Sequence, residues 1–311
     1  MRKPLPRLAV LSVATALTTA TLSACGSAGA QGSGVNVVAS FYPLQFVSEQ
    51  VGGEHVTVTN LTAAGAEPHD LELKPRQVAD ITDAQLVVFL KGFQPAVDDA
   101  VKEQAPDTSL DVAKTTELTK PEEGHEEHAE EGDHEHDHGD LDPHVWLDPT
   151  KLAEIADGVA DRLAKADPDH AEDFKANAKS LGEKLTDLDS EYDDGLAKCD
   201  SRDLVTSHAA FGYLAARYDL HQVAMSGLTP ESEPGSGAMK QIMDYVEEHG
   251  VTTIYYETLV SPDVAETIAD KTGAKTAVLD PIEGLQKGSE DDYFSIMESN
   301  LSALREGLGC Q

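Results

Sequence analysis

Asp169–Lys198 reads DHAEDFKANAKSLGEKLTDLDSEYDDGLAK, and its periodicity decides how the rest of the chain is arranged. Phe174, Ala178, Leu181, Leu185, Leu188 and Tyr192 recur at steps of three and four, as on one face of a helix. About 30 residues at 1.5 Å each make a strut of about 45 Å. Such a helix is long enough to span two lobes and to limit hinge motion between them. A shorter helix is expected before it, from about Pro149 to Ala166, with Asp167-Pro168 as the break.

On either side of this pair the chain alternates short apolar runs with helical patterns. Val35–Ser40, Val56–Leu61, Gln85–Leu90 and Ser109–Val112 read as buried strands, with helices near Tyr42–Val51, Pro75–Thr82 and Pro95–Glu103. After the strut, Asp203–Ser207, Gln222–Met225, Thr252–Tyr256 and Thr276–Leu279 read as strands. Helices at Ala210–Tyr218, Gly237–Glu248, Pro262–Thr272 and Asp292–Arg305 separate or follow them. Strands alternating with helices imply an α/β fold with parallel sheets, here as two doubly wound lobes.

The N-terminus sets the compartment. Arg2, Lys3 and Arg7 precede the apolar stretch Leu8–Leu22, which reads as a secretory signal over residues 1–24. Leu22-Ser23-Ala24-Cys25-Gly26 resembles the lipobox of bacterial lipoproteins, which makes Cys25 the expected lipidated residue. Residues 25–34 then form a Gly/Ser-type tether. The expected plan continues with a first lobe over 35–148, linking helices over 149–198 and a second lobe over 199–311.

The 311-residue chain carries a formal charge of −34. Loss of residues 1–24 removes three basic residues and no acids, leaving −37. That charge argues against nucleic acid and anionic lipid surfaces as partners and suits attraction of cations. With Cys25 lipidated, Cys199 and Cys310 remain as an even pair in an oxidising compartment, read as a disulfide rather than two free thiols.

A run of histidines and acids, 122–140, empties into Asp142-Pro143-His144-Val145-Trp146-Leu147-Asp148-Pro149. Its His125, His128, His134, His136 and His138 lie among carboxylates, the donor types that divalent transition metals bind, and form a secondary metal-binding candidate. The run has almost nothing apolar to bury, so a solvated loop is expected; an acidic linker with incidental histidines is the plainer alternative.

Other polar residues fall just beyond expected strand ends, where ligands of doubly wound sheets bind. His69 follows the second strand, His208 the fifth, Glu257 the seventh and Asp280 the eighth, while His144 closes the acidic run. Singly, each is more plainly a surface histidine or a helix cap. Jointly, three histidines and two carboxylates from both lobes converge on one interlobe cleft.

These residues belong to a set of motifs: Ser40-Phe41-Tyr42-Pro43-Leu44, Ala66-Glu67-Pro68-His69-Asp70, Asp142–Trp146, Thr206-Ser207-His208-Ala209-Ala210-Phe211-Gly212-Tyr213 and Leu279-Asp280-Pro281-Ile282-Glu283-Gly284-Leu285. In order and spacing the chain resembles the metal-specific substrate-binding lipoproteins of bacterial ABC importers, and among them the zinc-uptake branch. The resemblance implies metal ligands at His69, His144, His208 and Asp280; Glu257, from its place after a strand end, is expected as a supporting residue. It also implies two Rossmann-like lobes bridged by a long rigid helix, and a His-rich loop before the second ligand. Pro68 stands where some zinc-type relatives have an acid, which argues against Glu67 as a ligand.

Three imidazoles and one carboxylate suit Zn²⁺. Manganese carriers of this family usually place Glu at the position of His208. The expected function is therefore a zinc receptor on the outer face of the cell membrane, anchored by lipid, that delivers Zn²⁺ to the permease of an ABC importer with its cytoplasmic ATPase. A manganese- or iron-type receptor, or a metal-dependent adhesin, would share the fold. A secreted zinc hydrolase is the more remote alternative, since it needs an open coordination position and a general base, and the His-Glu-x-x-His match His134-Glu135-His136-Asp137-His138 falls in the acidic run, with no core to hold it rigid.

Overall fold

In a computed structural model of the protein, the described residues are 34–121, 141–230 and 234–311. The expected signal segment, Cys25, the tether up to residue 33 and the loop histidines His125, His128, His134, His136 and His138 lie outside them.

Two four-stranded sheets organise the chain. β1 (Val35–Ala39), β2 (Val56–Asn60), β3 (Leu86–Phe89) and β4 (Ser109–Asp111) pair in parallel in the order β2-β1-β3-β4. β5 (Asp203–Thr206), β6 (His221–Ala224), β7 (Thr253–Tyr256) and β8 (Lys275–Val278) repeat that topology as β6-β5-β7-β8. β1 and β3 are apolar at nearly every position because a parallel sheet wrapped by helices is covered on both faces.

Parallel neighbours need crossovers, which the helices supply. These are α1 (Tyr42–Gly52), α2 (Pro75–Asp83) and α3 (Pro95–Gln104) in the first lobe. α6 (Gly212–Arg217), α7 (Ser236–His249) and α8 (Asp263–Thr272) serve the second, and α9 (Tyr293–Gly307) follows β8. Prolines open α2 and α3, where a missing N–H costs nothing. Gly250 and Gly273, at φ of 66° and 78°, end α7 and α8 in the left-handed conformation that glycine tolerates.

Between the lobes run α4 (Pro149–Ala166) and α5 (Ala171–Leu196). α5 has 26 residues, somewhat shorter than expected, because a short 3-10 turn at Pro168–His170 takes up its predicted start. Its two halves bind different lobes: Asn177 Nδ2 donates to Val51 O of α1 at 3.0 Å, and Tyr192 OH donates to Met297 O of α9 at 2.6 Å. Around α4 and α5 a single apolar cluster extends from β1 through Phe174, Leu181, Leu185 and Leu188 to α9. Each such side chain, fully buried, contributes roughly 1.5–3 kcal/mol, so large lobe movements would disrupt a continuous core. Cys199 and Cys310 are bonded, closing a separation of 111 residues onto the start of the second lobe. Closing a loop of that length restricts the unfolded chain by roughly 4–5 kcal/mol.

Candidate metal centre

The carboxyl ends of both sheets face a common cleft, and His69, His144, His208 and Glu283 meet there. One ligand atom from each lies within 4.8 Å of the other three, and all four residues are buried. Glu283 Oε1 is 3.1 Å from His144 Nε2, 3.1 Å from His208 Nε2 and 3.4 Å from His69 Nε2. His144 and His208 Nε2 are 3.4 Å apart. Four ligands about 2.0–2.1 Å from a tetrahedral zinc stand about 3.3–3.4 Å from one another, so the donor set fits that ion in kind and spacing.

Each histidine is set by its own stretch of chain. His69 sits in the turn between β2 and α2, where the Glu67 carboxylate accepts from His69 N at 3.1 Å and Asp70 N at 3.2 Å. Its ring rests edge-on to Phe93, with centroids 4.5 Å apart. His144 precedes a single 3-10 turn, Val145–Leu147. Asp142 Oδ1 accepts from both His144 N (2.9 Å) and His144 Nδ1 (2.7 Å). Gly212 makes room for this carboxylate, since a Cβ there would fall 2.6 Å from Asp142 Oδ2. His208 follows β5, its carbonyl accepting from Thr206 Oγ1 at 2.8 Å and Gln222 Nε2 at 3.1 Å. Its Nδ1 donates to Glu257 Oε1 at 2.5 Å. Where Nδ1–H is given to a carboxylate, the Nε2 lone pair faces the centre, the tautomer a metal needs.

The electrostatics follow from burial and pairing. Burial alone would drive the His208 imidazole neutral, but the hydrogen bonds to Glu257 and Glu283 outweigh it and hold its pKa up to about 10. Burial works the same way on His144, where Asp142 and then Glu283 reverse it and raise the pKa. Burial would raise Glu283; the bonds from His144, His208 and His69 instead hold it well below the usual carboxylate range. A divalent cation entering the cluster must displace the proton that these bonds favour on His208.

The fourth converging group is Glu283, where the sequence reading expected Asp280. Both Asp280 carboxylate oxygens are engaged elsewhere: Oδ1 accepts from Ile282 N at 2.7 Å and Oδ2 from Thr258 Oγ1 at 2.8 Å. Asp-Pro steps favour turns, and an Asp side chain commonly bonds its own backbone two residues on. Read that way, Asp280-Pro281-Ile282 is the turn and Glu283 is the free carboxylate beyond it. Asp142 was also passed over, although it stands two residues before His144. Glu257, expected as a supporting residue with no partner assigned, lies against His208.

The chain matches, over residues 37–307, the family described as zinc-uptake complex component A, periplasmic. A zinc-binding protein AdcA of Streptococcus pyogenes is 36% identical over 285 residues, covering 87% of this chain and 55% of the relative, so the chain spans about half that protein's length. The high-affinity zinc uptake system protein ZnuA of Bacillus subtilis is 37% identical over 290 residues, covering 91% of this chain and 90% of the relative. Among solved structures, the laminin-binding protein Lmb of Streptococcus agalactiae is 31% identical with a TM-score of 0.77, covering 88% of this chain and all of that one. Zn(II)-bound AdcA of Streptococcus pneumoniae is 33% identical with a TM-score of 0.74, covering 88% of this chain and 58% of that one. The converging histidines, the paired parallel sheets and a family match over nearly all of the described chain agree: the chain belongs to the zinc-uptake complex component A, periplasmic, family.

Proposed function

We propose that the protein is an extracytoplasmic zinc receptor, held at the outer face of the membrane by lipid on Cys25, that captures Zn²⁺ and passes it to the permease of an ABC importer. The observation that carries this reading is the meeting of three imidazole Nε2 atoms and Glu283 in a buried cleft, with two of the imidazoles backed by carboxylates. Zinc is the cargo, bound by His69, His144, His208 and Glu283. Three nitrogens and one oxygen make a borderline-soft site that disfavours manganese relative to zinc. The zinc-binding and zinc-uptake names of the relatives point the same way.

This reading is of a binding protein and not of an enzyme. A hydrolytic zinc site keeps one coordination position open for water and has a free general base. Here four protein groups would fill the four positions of a tetrahedral ion, and Asp142 and Glu257 are committed to His144 and His208. Adhesion rests only on the likeness to laminin-binding neighbours.

Metal analysis of protein purified without chelator, followed by competition between Zn²⁺ and Mn²⁺, tests the reading. One tightly held zinc that excess Mn²⁺ does not displace is expected. Preferential retention of Mn²⁺ would overturn it.

A further inference from the structure

Ile282 has a φ of 57°, a left-handed backbone conformation that a β-branched residue rarely adopts. Its side chain is fully buried, and it immediately precedes Glu283. Such strain persists only where the surroundings over-determine it, and here they do. Asp280 Oδ1 accepts from Ile282 N, and Thr258 Oγ1 donates to Asp280 Oδ2. Asn300 on α9 grips the Asp280 main chain twice, accepting from its N–H at 2.9 Å and donating to its carbonyl at 2.7 Å. Trp146 Nε1, from beyond the first sheet, donates to Pro281 O at 2.7 Å.

The chain leaves this turn in the direction set by Ile282, and that direction carries the Glu283 carboxylate to the three Nε2 atoms. We propose that Asp280 is a positioning residue for the metal centre: its carboxylate, braced by Thr258, holds Ile282 left-handed and so turns Glu283 into the imidazoles. The proposal rests on the metal-site reading above. It also gives the end of β7 a double role, because adjacent residues there set two of the four groups. Glu257 orients His208, and Thr258 braces the turn that presents Glu283.

The test compares Asp280→Ala, Asp280→Asn, Thr258→Val and Glu283→Ala with the unaltered full chain. The tight zinc dissociation constant is measured by chelator competition and the ligand field by Co²⁺ absorption. Asparagine keeps an oxygen that accepts from Ile282 N; alanine does not. Asp280→Ala is expected to weaken tight binding about 10–100-fold, the usual scale for residues supporting a metal ligand, and Asp280→Asn by no more than about threefold. The Co²⁺ spectrum of Asp280→Ala should approach that of Glu283→Ala, and that of Asp280→Asn should match the unaltered chain. Thr258→Val preserves shape and should weaken binding about three- to tenfold, which decides the matter should Asp280→Ala fail to fold. Unaltered affinity in Asp280→Ala or in Thr258→Val overturns the proposal. So does an Asp280→Asn variant as weak as Asp280→Ala, which would make Asp280 a ligand or a required charge. Unaltered affinity in Glu283→Ala would strike the metal-site reading itself, and is told apart because it does not depend on Asp280.

Discussion

His144 Nε2, from the end of the first lobe, faces Glu283 Oε1, from the second, at 3.1 Å. Neither lobe supplies enough ligands alone, so the centre exists only where the two meet. The aromatic floor beneath it is likewise shared: Trp146 Nε1 donates to Pro281 O at 2.7 Å, and Tyr293 OH donates to Trp146 O at 2.8 Å. A cation held between His144 and Glu283 ties together lobes that already share a core.

The ligands should contribute unequally. His144→Ala and His208→Ala remove imidazoles that are fully buried and carboxylate-backed, and each should weaken tight zinc binding by about 10³-fold or more. His69 is 9% exposed, and its ring packs on Phe93, so His69→Ala should cost less. Competition titration with a zinc chelator checks the order. Full affinity in His208→Ala would remove the site assignment.

The carboxylates behind the histidines should matter nearly as much. Asp142→Asn and Glu257→Gln leave the Nε2 atoms in place but loosen tautomer and orientation, for an expected loss of about 10–100-fold in zinc affinity. Thermal melting of the same variants, stripped of metal, separates this effect from misfolding. Unchanged affinity in both would mean that the imidazoles are held by packing alone.

Zinc affinity should rise with pH. His144 and His208 have raised pKa values, His208 up to about 10, so binding near neutrality expels the His208 proton. Affinity should climb about tenfold per pH unit for each proton displaced. For protein stripped of metal the sign is opposite. A histidine whose folded pKa is raised stabilises the fold fully below its ordinary 6.5, and that contribution is lost as pH climbs towards about 10. Glu283, held low, stabilises above its ordinary 4.5 and loses that contribution as pH falls through its depressed value. Calorimetry in buffers of different ionisation heat counts the protons. Zero release at pH 7 would contradict the raised pKa of His208.

Deleting residues 122–140 should remove the weaker equivalents of zinc and leave one tight equivalent, because His144 lies outside the deletion. The ends of the segment already meet: Asp142 N donates to Thr119 O at 2.8 Å, and Tyr213 OH accepts from Thr119 N while donating to Asp142 O. A short connection therefore suffices to rejoin the chain. Equal stoichiometry with and without the segment would leave its histidines no metal role.

Much of the fold was legible because burial imposes period. The runs around Val35, Leu86, Leu204 and Ile254 are apolar as doubly covered strands must be, and the face from Phe174 to Tyr192 marks α5. Helix starts were less so. α6 begins at Gly212, not near Ala210, and the close approach of Asp142 to Gly212 crosses 70 positions that no local pattern links. His69 and His208 were visible as residues beyond strand ends, and His144 at the close of the acidic run. Choosing Glu283 over Asp280 needed the direction of the Asp280–Ile282 turn, and a left-handed isoleucine is a tertiary outcome that propensity argues against.

Anomalous diffraction at the zinc edge, from crystals of the full protein loaded with one equivalent of Zn²⁺, tests the assignment of the centre most directly. The expected result is a single strong peak about 2.0–2.2 Å from the Nε2 atoms of His69, His144 and His208 and from a carboxylate oxygen of Glu283. A peak coordinated by Asp280 in place of Glu283, or lying outside the interlobe cleft, would contradict it.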